Sequence, residues 1–169
     1  MVESLVNKGE MLWHIIQELR IKVKWRNLHS WHPDWDAYAW PARRLIVLDY
    51  SVGRIPRREK CVLAEEVGHI FYPPAGNHIV YHSTRFYDLN AWQRNNLSVL
   101  VAKDERQALE WGTSFLIPDN AFWKFAARGP HFWEDWLDHF DVEDWFMMSK
   151  FKFMWHKKPF EWTELVIDR

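Results

Sequence analysis

Hydrophobic and polar positions along the chain change period several times, and each change marks an expected element. In residues 3–19, Leu5, Leu12, Ile15, Ile16 and Leu19 recur at helical spacing and predict an amphipathic helix. "IKVKW" (21–25) alternates and predicts a strand. "AYAW" (37–40) and "RRLIVLDY" (43–50), divided by Pro41, predict two more strands joined as a hairpin. Pro56 precedes a helical pattern over 57–72, which Pro73-Pro74 stops. The stretch 75–88 reads as a loop with one short extended piece. A long helical pattern over 89–115 ends before Pro118, and a new one starts at Pro118-Asp119 and breaks at Gly129-Pro130. "HFWEDWLDHF" and "VEDWFMMSKFKFM" predict two further helices around Asp141, and 158–169 reads as a loosely packed tail. The expected architecture is α+β: a small three-stranded sheet, two principal helices, and a helical C-terminal extension. With no repeat and no low-complexity linker, the expected division is residues 1–128 as the main unit and 129–169 as an extension packed on it.

Composition narrows the function classes. The 169 residues are 48% hydrophobic and 27% charged, an ordinary globular balance. A net charge of −1 gives no global electrostatic case for nucleic acid or for an anionic membrane. Cys61 is the single cysteine, which rules out an internal disulfide framework and a cysteine-rich zinc site. The start of the chain is amphipathic and mixed in charge, unlike a signal peptide, and no apolar run has a membrane-spanning length. A cytoplasmic location is the expectation. The 13 Trp, 11 Phe and 5 Tyr imply a core built from large rings, or rings lining a groove for another chain.

The segment "AEEVGH" (64–69) carries the candidate chemistry. At about 100° per residue, Leu63, Val67, Ile70 and Phe71 gather on one side of the helix as its expected core contact. Glu65, Glu66 and His69 gather on the other, with Val62 among them. Glu65 and His69 stand at i and i+4, the spacing two metal ligands on one helix need, and Glu66 reaches the rim of the same point. The bland alternative is a solvated face with a Glu–His hydrogen bond. In "KDERQALEWGTSFLIP" (103–118), Glu105 shares a face with Ala108 and Gly112. Small residues beside a carboxylate let that helix pack closely on another, so a third ligand can reach the first helix. The alternative is plain packing with Glu105 exposed.

Together, "CVLAEEVGHIF" and "KDERQALEWGTSFLIP" resemble the ImmA/IrrE family of zinc-dependent endopeptidases. That family shows H-E-x-x-H on one helix. On a later helix it shows a Glu followed at helical spacing by Ala, an aromatic–small pair, and an apolar stretch closing in Pro. Glu105, Ala108, Trp111-Gly112 and Leu116-Ile117-Pro118 match the second motif in order, and Glu66 and His69 match the catalytic Glu and the second His of the first. The likeness covers roughly residues 5–125 and is to the phage and mobile-element members. This chain has Glu65 where the family's first His stands. A carboxylate can ligate zinc, but two carboxylates and one imidazole lean towards harder metals, so Mn²⁺ and Fe²⁺ stand beside Zn²⁺.

The resemblance implies a zincin-like fold with Glu65, His69 and Glu105 as metal ligands, and metal-assisted peptide hydrolysis in which Glu66 takes the proton of the attacking water. Candidates for an oxyanion or substrate donor are Tyr38, His78, Tyr81 and His82. It further implies that the substrate is a helix-turn-helix repressor, cut by a phage or mobile-element anti-repressor. The stretch 131–145 carries Glu134, Asp135, Asp138, Asp141, Glu143 and Asp144 with no Lys or Arg. That face repels phosphate and is expected to be solvated or to engage a basic partner. A second reading is a catalytically inactive peptidase fold that sequesters a repressor. A third is a metal-free structural protein with its carboxylates exposed.

Overall fold

A computed structural model describes residues 7–74, 79–82 and 99–157. Helix α1 (Lys8–Glu18) begins where the Asn7 side chain accepts the Gly9 N–H at 3.0 Å and the Glu10 N–H at 3.4 Å, a cap that satisfies two otherwise orphaned donors. It buries Leu12 and Ile16. The chain turns at Arg20, whose φ is 53°, and enters β1 (Lys22–Arg26). Strands β2 (Ala37–Trp40) and β3 (Leu45–Asp49) form the expected antiparallel hairpin, with Arg44 left-handed at φ 46° in the turn. The short extended piece expected in 75–88 is β4 (Val80–His82), which adds a fourth strand beside the three expected ones. The sheet order is β1-β3-β2-β4, with β1 and β3 parallel and the other pairs antiparallel.

Strand alternation gives the sheet two different faces. Ala37, Ala39, Ile46 and Leu48 join the buried core, and Val23 and Trp25 pack against it. Against that face lies α2 (Pro56–Phe71), opened by Pro56 as the sequence predicts. The helical wheel puts only one side of α2 in the core, and here the structure differs. Every residue from Cys61 to His69 is buried, while Phe71, expected inside, is 42% exposed. The reason is layering: α2 lies between the sheet and α3 (Val99–Leu116), so no side of its middle meets water. Phe71, at the helix end, packs its ring on Trp111 at 4.8 Å between centroids.

Helices α2 and α3 run antiparallel, Gly68 opposite Ala108 and Ala64 opposite Gly112. A Cβ on Gly68 would lie 2.8 Å from the Ala108 carbonyl carbon and nearer still to its oxygen. A Cβ on Gly112 would lie 3.0 Å from the Ala64 carbonyl oxygen. At these two points one backbone rests on the other.

Three more helices follow: α4 (Asp119–Ala126), α5 (Trp133–Phe140) and α6 (Asp144–Trp155). Many of the rings pack here. Phe122, Trp136 and Phe151 meet pairwise at 4.7 to 4.9 Å, which is core packing. The corner between α5 and α6 is fixed to α2. Asp141, left-handed at φ 51°, and Asp138 take Arg57, and Asp141 also takes Lys60. Part of the acidic 131–145 stretch is thus answered by α2. The buried Cys61 sulfur accepts the Glu143 N–H at 3.3 Å. Among the described residues no helix is long and apolar enough to cross a membrane. The expected helical residues 89–98 and the tail 158–169 lie outside the described residues.

Two outcomes follow from this packing. Replacing Gly by Ala in a helix gains about 1 kcal/mol from backbone entropy, whereas overpacking costs about 1–3 kcal/mol. Gly68→Ala meets backbone that cannot swing aside, so it should be net destabilising by roughly 1–2 kcal/mol. Gly112→Ala has more room and should fall close to neutral. Urea unfolding of both variants checks the order, and an equal or stabilising effect at Gly68 would contradict the contact. Burial pushes the Cys61 thiol well above its ordinary pKa, so a disulfide reagent should label it only after denaturation. Rapid labelling of the native protein would mean that the α5–α6 corner opens readily.

Candidate metal centre

The close approach of α2 and α3 brings three expected ligands together. Glu65 and His69 project from adjacent turns of α2, and Glu105 arrives from α3. One ligand atom from each lies within 4.8 Å of the others, with His69 Nε2 and Glu105 Oε2 3.5 Å apart. Ligands about 2.1 Å from a tetrahedral cation stand about 3.4 Å from one another, so the set is close to closing distance. Glu65 and His69 are buried, while the Glu105 side chain is 29% exposed and marks the side on which the cluster meets solvent.

Glu66 is wholly buried, and neither of its oxygens has a hydrogen-bond partner among the described residues. Burial, and then the negative charges of Glu65 and Glu105, push its carboxyl well above the usual carboxylate range. Three carboxylates so placed repel one another, and Glu65 and Glu66 have lost their water. A divalent cation is the simplest group that would relieve both costs. The orphaned Glu66 oxygens and the O, N, O donor set therefore fit a metal ion, and the carboxylate majority admits Mn²⁺ and Fe²⁺ as well as Zn²⁺.

The expected donors around the site separate. In β4, His82 pairs in register with Ala37, on the core side of the sheet, and its Nδ1 lies 2.6 Å from Glu65 Oε2. The Nδ1 side of His82 therefore meets Glu65, an expected ligand. Burial opposes charge on this ring, but the Glu65 carboxylate, with Asp36 and Glu105 behind it, outweighs burial and raises its pKa. Trp145 of α6 packs on the His82 ring at 5.1 Å, so the C-terminal helices help to wall the site. Tyr38 pairs with Val47, in the row of β2 that alternation turns away from α2, so it does not join the cluster. Tyr81 is opposite Tyr38 in backbone register; its side chain and the whole of His78 lie outside the described residues.

Beyond the ligands, Asp36 supports the site from the sheet end. Its N–H donates to the His82 carbonyl at 3.0 Å, and its carboxylate takes Arg58 at 2.9 Å. Neither Asp36 nor Trp145 has a sequence signal of its own. His82 carried one, a polar residue in a short extended run, but only the register of β4 against β2 aims it at Glu65.

A residue that orients a ligand through a hydrogen bond typically affects metal affinity 10–100-fold, roughly, when removed. His82→Ala should weaken metal binding by about that factor, whereas His69→Ala, which removes a ligand, should abolish it. Competition against a chelating dye reads both. Unchanged affinity in His82→Ala would mean that the Glu65 contact does not position the ligand.

Compared with known proteins, the chain matches no family model, and no curated protein or solved structure aligns with it significantly.

Proposed function

We propose that the protein is a metal-dependent endopeptidase of zincin-like arrangement, with Glu65, His69 and Glu105 as the metal ligands and Glu66 as the general base. The observation that carries the reading is a wholly buried carboxyl, without a hydrogen-bond partner among the described residues, beside three convergent ligand atoms. A bound metal supplies Lewis acidity, polarising a carbonyl and making water more acidic. Glu66, beside the three ligand atoms, would take a proton from the attacking water and return it to the departing amine. His82 keeps Glu65 in place, and Trp145 excludes water from that side. The resemblance to ImmA/IrrE peptidases supports a helix-turn-helix repressor as substrate and an anti-repressor role in a phage or mobile element.

Glu66→Gln keeps size and hydrogen-bonding capacity and removes the base. It should leave the fold and metal content nearly intact and lower cleavage by roughly 10²-fold or more. Co-incubation with a helix-turn-helix repressor, with and without a chelator, read on a gel, measures it. If the unmutated protein holds metal and relieves repression while the repressor stays whole, the fold acts as a sequestering module, and Glu66→Gln should then change nothing.

A further inference from the structure

The sheet has a second face that the metal site does not use. Val23 and Trp25 pack on the core, so Lys22, Lys24 and Arg26 project from the opposite side of β1, and all three are exposed. Arg20 precedes the strand, and Arg43 and Arg44 follow β2; they are exposed as well. Lys22 and Arg44 are adjacent, because the Lys22 N–H donates to the Arg44 carbonyl at 2.8 Å. None of these six cations has a carboxylate partner among the described residues. The nearby Asp49 is buried, with its oxygens taken by the N–H groups of Leu28, His29 and Ser51. A chain with net charge −1 therefore carries a local positive stripe, while six of its 23 acidic residues lie on α5 and the α5–α6 corner.

Beside the stripe the face turns apolar and aromatic. Register places Lys22, Leu45 and Trp40 in one accessible row across three strands, whereas in the next row, Lys24, Val47 and Tyr38, the middle residue Val47 is buried. Tyr38 and Trp40 are half-buried, and the Arg43 guanidinium stacks over Trp40 at 4.0 Å. Cations along one edge with rings and a stacked guanidinium beside them form an arrangement that holds the backbone of a single strand and stacks its bases. We infer that this sheet face binds single-stranded nucleic acid, with phosphates along Lys22, Lys24 and Arg26 and a base stacked with the Trp40–Arg43 pair. The inference rests on the sheet alone and does not depend on the metal site.

The test is fluorescence anisotropy of a labelled oligo(dT), titrated with the full chain over a salt series. Each phosphate contact to a single strand contributes about 0.7 to the fall of log K with log salt concentration. The unmutated protein should bind. The double variant Lys22→Gln/Lys24→Gln should bind on the order of tenfold more weakly, with a slope lower by roughly 1.4. Arg26→Gln, at the end of the strand, should lower the slope by about 0.7. Lys124→Gln/Arg128→Gln removes the same charge from the region of α4 and should behave as unmutated protein. Absence of binding at low salt, or equal losses in the two double variants, overturns the inference. So does tighter binding to polyglutamate or to anionic vesicles than to oligo(dT), which would assign the face to an acidic protein or to a lipid surface. Self-association of the Lys22→Gln/Lys24→Gln variant without any oligonucleotide binding by the unmutated protein also overturns it. The cations would then serve only to guard an edge strand.

Discussion

Two backbone-on-backbone contacts hold the arrangement on which everything else depends. Gly68 admits the Ala108 carbonyl and Gly112 admits the Ala64 carbonyl, so α2 and α3 approach more closely than larger side chains would permit. Antiparallel packing at that distance sets Glu105 level with the last turns of α2, within 3.5 Å of His69. With α3 further out, Glu105 would be a surface carboxylate and Glu65 and His69 an ordinary helical pair. The same closeness buries α2 on both sides and strips water from Glu65 and Glu66. Packing and chemistry thus share one cause.

Burying carboxylates is costly, and the fold answers part of that cost with its own groups. His82 stands against Glu65, and Arg58 against the Asp36 that supports β4. Glu66 has no such partner among the described residues, and burial, then the charges of Glu65 and Glu105, raise its pKa. The C-terminal helices contribute from two places. Their corner is tied to the start of α2 through Arg57, Lys60 and Cys61, and Trp145 closes on His82 further along. The last helices are therefore joined to the site through the helix that carries it.

Charge is distributed by face, which a total of −1 conceals. Apolar residues on one side of β1 fix the strand to the core, and strict alternation then commits its three cations to the other side. The acidic residues of α5 and the α5–α6 corner are partly consumed by α2, whereas the cations on the sheet have no carboxylate partner among the described residues. Two surfaces of opposite character therefore sit on one small fold.

The elements themselves were legible in the sequence, because they follow from local rules. Pro56 opens α2, Pro73-Pro74 lies just beyond its end, an alternating run marks β1, and two apolar runs divided by Pro41 mark β2 and β3. The spacing of Glu65 and His69, and the small residues beside Glu105, were local as well, and they pointed to the three ligands. What lay beyond reach was non-local. A helical wheel assumes one buried side, and it failed for Phe71 and the middle of α2 because a second layer covers the other side. The role of His82 depends on the pairing of β4 with β2, and no residue near His82 encodes that register. Burial of Glu66 is a property of the assembled layers. The sequence by itself determined which residues could ligate, take a proton or carry charge, since those are properties of side chains and their spacing. Tertiary structure alone decided which of them meet, because distance between segments far apart in the chain is set by packing.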